Sequence, residues 1–482
     1  MIKPKELSFL RAIESSAKRK FVTEPEAAGR SKFIRDRDRL LFSKEFRRPE
    51  GKTQVFINGF DDHIRNRLTH TLEVSQIAQS ISDYFGFERY LSEAISLGHD
   101  VGHTPFGHVG ERVLNHFTNN CLNYGDYCIK DKADHGFKHN WQGVKVVSTL
   151  ERISPHYKGL NLTNYTIWGI LNHSALKYKP CKRYNNGKCL YNHNGNNCIV
   201  NNHSFSLEHY LKFTNTFDNQ SWTFEGLIVR LADEIAQRHH DIEDGLIAGI
   251  IDRKELVDRF SDIFKSYLTE SQKDILLKIK ETNNINYAVH DISSLILSFY
   301  SKHLIDNTTN NIQSFLKTYH VKNRQDFNSF KKSNDPSFNP NDIVKFSDDF
   351  EANDDYFKKY LISRVLNSHL AQTMDGKATH VLKSIIQAYL ENPKQLPDGT
   401  IITLIQNYLS KENFDKLIKN KSPKLLVGIM RENVDDIYNN YDDDKFKAVL
   451  MRTIADFIAG MTDKFALSQY KMLIGSDNFW MK

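Results

Sequence analysis

The stretch Leu97-Gly-His-Asp-Val-Gly-His-Thr-Pro-Phe-Gly-His-Val-Gly-Glu111 constrains this chain more than any other. It gathers His99, Asp100, His103, His108 and Glu111, more titratable groups than an ordinary apolar core tolerates. Imidazoles and carboxylates together are the groups that hold a divalent metal ion and move protons around it. The glycines and Pro105 demand sharp turns, which present several side chains to one point.

Helical periodicity surrounds this stretch. His70, Val74, Ile77 and Ile81 repeat on one face, with Ala78 and Phe85 beside it, and Gly86 then closes a helix. Leu91 and Ile95 open a second helix that runs into His99, and Leu227 to Leu246 reads as a third. Phe446 to Ala466 reads as one long amphipathic helix with Gly460 inside it. Strand alternation is rare: Thr53-Gln-Val-Phe-Ile57, between Gly51 and Gly59, is the best candidate for a small hairpin. The expected fold is mostly α. Tyr184 to His203, rich in Asn, and Asp306 to Asp342 read as surface insertions, the latter with room for a helix in its middle and an exposed loop over Ser333 to Asp342 at its end.

Composition sets the remaining bounds. With 482 residues, 40% hydrophobic and 12% aromatic, the chain can bury a large core in one to three domains. A net charge of +6 is too small to argue for nucleic acid. Basic residues do cluster between Arg30 and Arg48, which suits an anionic ligand and equally a solvated helix face. The polar start lacks a signal-peptide core, and no apolar run approaches the roughly 18 residues of a membrane span. Five cysteines form no disulfide framework, so a cytoplasmic location is expected.

A metal needs ligands beyond the adjacent His99 and Asp100. His70 lies on a face that should be buried, where a lone histidine is more often a satisfied core residue than a ligand. Asp233, in Leu231-Ala-Asp-Glu-Ile-Ala236, is a helical carboxylate that needs a partner if buried, and His240 and Asp241 make the same face polar. Two imidazoles and two carboxylates would suit Mn, Fe, Ni, Zn or Mg. Spacing alone does not select these four.

The order His70, His99-Asp100, Asp233 resembles the H…HD…D pattern of the HD phosphohydrolase superfamily. More specific matches surround it. Ser43-Lys-Glu-Phe-Arg-Arg48, Lys52-Thr-Gln-Val-Phe56, Arg67-Leu-Thr-His-Thr-Leu-Glu-Val74, the stretch His99 to Glu111, Gly136-Phe-Lys-His-Asn140, Ala232 to Ala236 with His240-Asp-Ile-Glu-Asp244, and Ile458-Ala-Gly-Met-Thr-Asp463 all resemble the deoxyguanosine triphosphate triphosphohydrolase (dGTPase) family.

The resemblance implies a helical HD core over 61–250 with an insertion near 180–205. It implies a preceding helical and hairpin segment, 1–60, that contributes to the nucleotide site, and a C-terminal helical region, 251–482, packed on the core. It implies hydrolysis of a deoxynucleoside triphosphate, dGTP or a broader set, to deoxynucleoside and inorganic triphosphate by water attack at the α-phosphorus. His70, His99, Asp100 and Asp233 would hold a divalent ion, Mn, Mg or Fe. His108 would donate a proton or position water, Glu111 would brace it from the next turn, and His103 would face the polyphosphate. His139 is a further phosphate-side candidate. Arg47 and Gln54 match sugar- or base-side positions, Arg67 a phosphate-side arginine, and Asp241 a 3′-hydroxyl contact. Gln237 stands where the family usually carries a Tyr that excludes ribose, so selection of the sugar is less secure than the chemistry. The family also implies a homo-oligomer, hexamer or tetramer, with a nucleotide activator or single-stranded DNA as further partners.

Cys181, Cys189 and Cys198, near His193 and His203, offer ligands for a structural zinc, with unpaired thiols the simpler alternative. Two rival functions remain. Another HD phosphohydrolase would lack the Lys52–Phe56 and Pro105–Glu111 motifs, and a nucleotide-sensing or nucleic-acid-binding regulator would not need an intact ligand set.

Overall fold

The computed structural model describes residues 4–21, 29–54, 65–122, 124–125, 127–130, 135–154, 156–174, 184–185, 188–189, 220–419, 423–440 and 444–475. Its helices are α1 (Lys32–Leu41), α2 (Arg67–Phe85), α3 (Arg89–His99), α4 (Gly107–Thr118), α5 (His139–Lys145), α6 (Asn164–Asn172), α7 (Phe224–Ile247), α8 (Arg253–Ile263) and α9 (Glu270–Glu281). They continue with α10 (Ile285–Thr318), α11 (Arg324–Ser333), α12 (Asp348–Arg364), α13 (His369–Glu391), α14 (Asp398–Tyr408), α15 (Lys411–Ile418), α16 (Pro423–Asn440), α17 (Asp444–Ala459) and α18 (Asp463–Ile474). The one sheet among the described residues is an antiparallel hairpin, β1 (Tyr184–Asn185) with β2 (Lys188–Cys189). The fold is mostly α, as expected. No helix among the described residues is long and apolar enough to cross a membrane.

The chain forms two compact units. One comprises Met1–Val101, Gly143–Ser174 and Tyr210–Met374; the other comprises Gly102–Gln142, Ala175–His209 and Asp375–Lys482.

In the first unit, α2, α3 and α7 pack against one another, and α1 and α6 cover α3. Helix α2 starts where the Asn66 side chain accepts the N–H groups of Leu68 and Thr69, and ends at Gly86 with φ 72°. Its face of Val74, Ala78, Ile81 and Phe85 is buried. Thr223 caps α7 through Oγ1, which accepts the Gly226 N–H at 3.1 Å. Helices α3 and α6 approach through glycine: a Cβ on Gly98 would lie 2.5 Å from Ile170 Cδ1, and one on Gly169 2.5 Å from Ile95 Cδ1. That close fit holds the end of α3, and so His99, without slack.

A buried ion pair fixes α7 against its neighbours. Arg238 on α7 donates to Asp354 on α12 through Nε at 3.0 Å and Nη2 at 2.8 Å. Tyr300 on α10 donates to the same carboxylate at 2.7 Å. Asp354→Ala would leave the guanidinium buried and unpaired, and should cost about 3–5 kcal/mol. Urea denaturation measures this, and a loss below about 1 kcal/mol would show the pair to be dispensable.

In the second unit, Val113, Leu114 and Phe117 of α4 pack with Leu382, Ile385 and Tyr389 of α13 and with Leu450 and Ile454 of α17. The turn before α4 is strained: Phe106, a non-glycine residue, has φ 59°. Its N–H donates to the buried Asp463 carboxylate at 2.8 Å, which secures the turn.

Three expectations change. Phe446 to Ala466 is not one helix: α17 stops at Ala459, and Thr462 caps α18 by accepting the Phe465 N–H at 3.2 Å. The segment expected as an insertion from Asp306 begins instead as the second half of the 34-residue α10, with Thr308 and Ile312 buried. Its end is the expected loop: Ser333 closes α11, and Asn334 to Asp342 is non-helical apart from a 3₁₀ turn at Pro340–Asp342. Thr53 makes only an isolated antiparallel bridge to Asn66, and residues 55–57 of the expected strand lie outside the described residues.

Candidate functional site

Three elements of the first unit bring the expected metal ligands together. His70 comes from the first turn of α2, His99 ends α3, Asp100 follows it, and Asp233 lies on α7. His70, His99 and Asp233 each offer a ligand atom within 4.8 Å of the others. His70 Nε2 stands 3.0 Å from Asp233 Oδ1, and His99 Nε2 stands 3.8 Å from the same oxygen. Asp100 Oδ1 is 3.4 Å from His99 Nε2.

The protonation of His99 follows from its partner. Its Nδ1 is 2.6 Å from the Ser96 carbonyl, which can only accept, so Nδ1 carries the proton. Nε2 is then a lone pair. It is buried and has no hydrogen-bond partner, although buried polar atoms almost always find one. A divalent cation among these groups meets that need, so the residues fit the ion. Burial pushes the Asp233 carboxyl up, but the hydrogen bond to His70 and the nearby His99 and His70 overrule it and hold it below the usual carboxylate range.

Arg67, expected beside phosphate, is buried here and binds Asp100 Oδ2 through Nη1 at 2.6 Å. It orients the second carboxylate of the set. Behind His70 lies a network that sequence reasoning left largely unread. His70 Nδ1 meets His240 Nδ1 at 3.1 Å, and His240 Nε2 is hydrogen-bonded to Glu73 Oε2. Arg65 Nε reaches Glu73 Oε1 at 2.8 Å and its Nη2 reaches Glu243 at 2.8 Å, while His239 bridges Glu243 and Glu73 at 3.0 and 3.3 Å. Burial lowers the His240 ring to about 3, against the pull of Glu73, so it is neutral near pH 7.

The second unit carries a second cluster. His103, Glu111 and His139 offer ligand atoms within 4.8 Å of one another. The Glu111 carboxylate is hydrogen-bonded to His139 Nδ1, accepts the His139 main-chain N–H at 3.2 Å and meets Lys138 Nζ at 3.2 Å. The Glu111 carboxylate, expected beside His108, also takes His139 and Lys138 as partners and feels the charge of His108, which is exposed at the start of α4. The His103 and His139 rings stack at 3.8 Å, and His108 lies edge-on to His103 at 5.7 Å.

The remaining candidates are spread more widely. Gln237 and Asp241 lie one and two turns beyond Asp233 on α7. Arg47 is exposed on the 3₁₀ segment Glu45–Gly51. Gln54 holds a buried Oε1 without a hydrogen-bond partner among the described residues. Within the basic Arg30–Arg48 segment, Lys32 and Arg39 are committed to main-chain carbonyls and Arg37 and Arg48 to carboxylates. Cys181, Cys198, His193 and His203 lie outside the described residues, as does the Cys189 side chain, and the described residues hold nothing that supports zinc there.

Asp241 gives a pH prediction. Burial raises its carboxyl to about 6, with Arg238 and Lys358 only partly opposing. The fold therefore favours the protonated form. Its contribution to stability is full below the unfolded value near 4 and is lost as pH rises through about 6. Asp241→Asn should match the wild type near pH 4 and exceed it by about 1–3 kcal/mol at pH 7.5. Denaturation at several pH values reads this difference, and a constant offset would show that Asp241 does not titrate in that window.

Residues 67–177 match the HD domain, and residues 344–407 and 424–472 match the phosphohydrolase-associated domain. The helical fold, the grouped His and Asp side chains and these matches define an HD-domain phosphohydrolase. A deoxyguanosinetriphosphate triphosphohydrolase-like protein of Rickettsia bellii is 30% identical over 444 residues, 92% of each chain. Proteins of the same description from Bradyrhizobium diazoefficiens (29% identical, 95% of this chain and 94% of the relative) and Rickettsia prowazekii (29%, 93% of each) are similar to it. The chain belongs to the deoxyguanosinetriphosphate triphosphohydrolase family of the HD superfamily.

Proposed function

We propose that this protein hydrolyses deoxynucleoside triphosphates, dGTP or a wider set, to deoxynucleoside and inorganic triphosphate. The observation that carries the reading is the buried, unpartnered lone pair of His99 Nε2, turned toward Asp100 and Asp233. His70, His99, Asp100 and Asp233 would hold a divalent ion, Mn, Mg or Fe. When bound, such an ion supplies Lewis-acid polarisation of the phosphoryl group and makes a water more acidic.

The chain's own residues carry the rest. Water attacks the α-phosphorus, the bond to the 5′ oxygen breaks, and that oxygen needs a proton. His108, exposed beside the His103–His139 stack, is suited to deliver it or to position the water. Glu111 sets the orientation of His139, and His103 provides a hydrogen bond for phosphate oxygens. The same short stretch of chain, Leu97–Glu111, carries His99 and Asp100 together with His103, His108 and Glu111, which supports their serving one reaction. Arg67 acts here through Asp100. Arg47, Gln54, Gln237 and Asp241 are the candidates for recognising base and sugar.

The test is product analysis. Purified protein with Mn²⁺ is incubated with each dNTP, each NTP and pairs of dNTPs, and the phosphates are separated by ion exchange. Inorganic triphosphate with deoxynucleoside is the expected result, and pairs active where single nucleotides are not would reveal a nucleotide activator site. Pyrophosphate or orthophosphate as the first product overturns attack at the α-phosphorus. No turnover of any nucleotide favours a sensor.

A further inference from the structure

We propose that Glu73 and His240 are positioning residues for His70: a carboxylate–imidazole relay that commits the His70 Nε2 lone pair to a cation. This rests on the reading of His70 as a metal ligand. The two supports share helices with two of the ligands. Glu73 lies one turn beyond His70 on α2, and His240 two turns beyond Asp233 on α7.

The direction of the relay follows from donor and acceptor roles. Arg65 donates to Glu73 Oε1 at 2.8 Å, which keeps the carboxylate ionised and therefore accepting only. His240 Nε2, hydrogen-bonded to Glu73 Oε2, must then carry a proton. His240 Nδ1 is left as a lone pair. It faces His70 Nδ1 at 3.1 Å, and two nitrogens this close need one proton between them, so His70 Nδ1 supplies it. His70 Nε2 is thereby the nitrogen left to face the Asp233 carboxylate at 3.0 Å, and a cation bound there would take the place of the proton that a hydrogen bond between them requires. The opposite assignment would turn a lone pair on His240 toward the charged oxygen of Glu73.

The consequence is that His70 and His99 are set alike. In each, the outer nitrogen is fixed by a hydrogen bond and the inner one is presented toward Asp233. A metal-ligating histidine usually needs one such outer partner. Here the partner of His70 is itself an imidazole, and Glu73 fixes its tautomer. Glu73, His239 and His240 also have ligand spacing of their own, but the Arg65 guanidinium already supplies the cation for Glu73 and Glu243, so we assign this cluster the supporting role.

The test compares Mn²⁺ binding by titration calorimetry in the wild type and in His70→Ala, His240→Phe, His240→Asn and Glu73→Ala, with turnover measured against Mn²⁺ concentration. His240→Phe keeps the shape of the ring and removes the acceptor. It should bind Mn²⁺ about 10–100-fold more weakly, with turnover recovering toward the wild-type rate at saturating Mn²⁺. His240→Asn, whose Oδ1 can stand where Nδ1 stands, should recover most of the affinity. A purely structural role would lower thermal stability in both variants without that recovery. The proposal is overturned if His240→Phe binds Mn²⁺ like the wild type while His70→Ala does not. If His70→Ala also binds like the wild type, the metal reading itself fails and takes the relay with it. Should His240→Phe not fold, Glu73→Ala decides: weaker binding supports the relay, and unchanged binding overturns it.

Discussion

His99→Ala should abolish turnover, with a loss of at least about a thousandfold, because it removes one of the four groups proposed to hold the ion. Helix α3 ends on His99, and Gly98 seats that end directly against Ile170 with no room for adjustment. The lost imidazole leaves a buried space beside the Asp100 and Asp233 carboxylates, which keep Arg67 and His70 as partners. Asp100→Ala should be as damaging to turnover for a further reason: Arg67, 2% exposed, would lose its carboxylate partner. The two variants are therefore separable by stability. His99→Ala is expected to lose only the packing and the one hydrogen bond of its buried ring in urea denaturation without added metal, a smaller loss than that of Asp100→Ala. Asp100→Ala should fall by several kcal/mol. Turnover of a dNTP panel and Mn²⁺ titration read the first effect; substantial activity in either variant would sink the metal reading.

The His99-Asp100 part of the candidate ligand set was legible because it rides on a short motif, whereas His70 and Asp233 came only with the family resemblance. His99-Asp100 and the glycine-rich run behind them stand out in any composition, and Gly86, which closes α2, is a local signal. The supports of the site were harder to read, because they depend on pairing across the chain. Glu73 sits inside the Arg67–Val74 motif, yet its partner His240 is 167 residues away, and helical spacing says only that Glu73 shares a face with His70. Glu111 shows the converse. The local i, i+3 rule points it at His108, and the fold adds His139 from 28 residues further along, which no local rule supplies. The misread segments have the same origin. Apolar residues continue with helical period through Gly460 to Ala466, so periodicity hides the break that the Thr462 cap makes. The Asn- and Thr-rich half of α10 resembles a loop by composition, although Thr308, Ile312 and Phe315 keep one face buried.

Glu111→Gln is expected to lower turnover about 10²–10⁴-fold while leaving Mn²⁺ affinity and nucleotide binding near the wild-type values. The substitution conserves shape and removes charge. Glu111 accepts from His139 at both Nδ1 and the main-chain N–H, so the wild-type carboxylate fixes the proton on Nδ1 and leaves Nε2 as the working nitrogen. A glutamine can satisfy one of those donors, but its amide nitrogen can equally turn toward Nδ1 and reverse the tautomer. Since His139 stacks on His103 at 3.8 Å, a change in one ring alters how both present hydrogen bonds. Stability should move in a definite direction with pH. Burial pushes the Glu111 carboxyl up, but His139, through its charge and hydrogen bond, and then Lys138 overrule burial and hold it well below the usual range. Its stabilising contribution is therefore present above the unfolded value of about 4.3 and disappears as pH falls through the lower folded value. The wild type should exceed Glu111→Gln in stability at pH 7, and the gap should close on acidification. A wild-type rate in Glu111→Gln would remove this carboxylate from the reaction, and a collapse of Mn²⁺ affinity would recast it as part of the metal site.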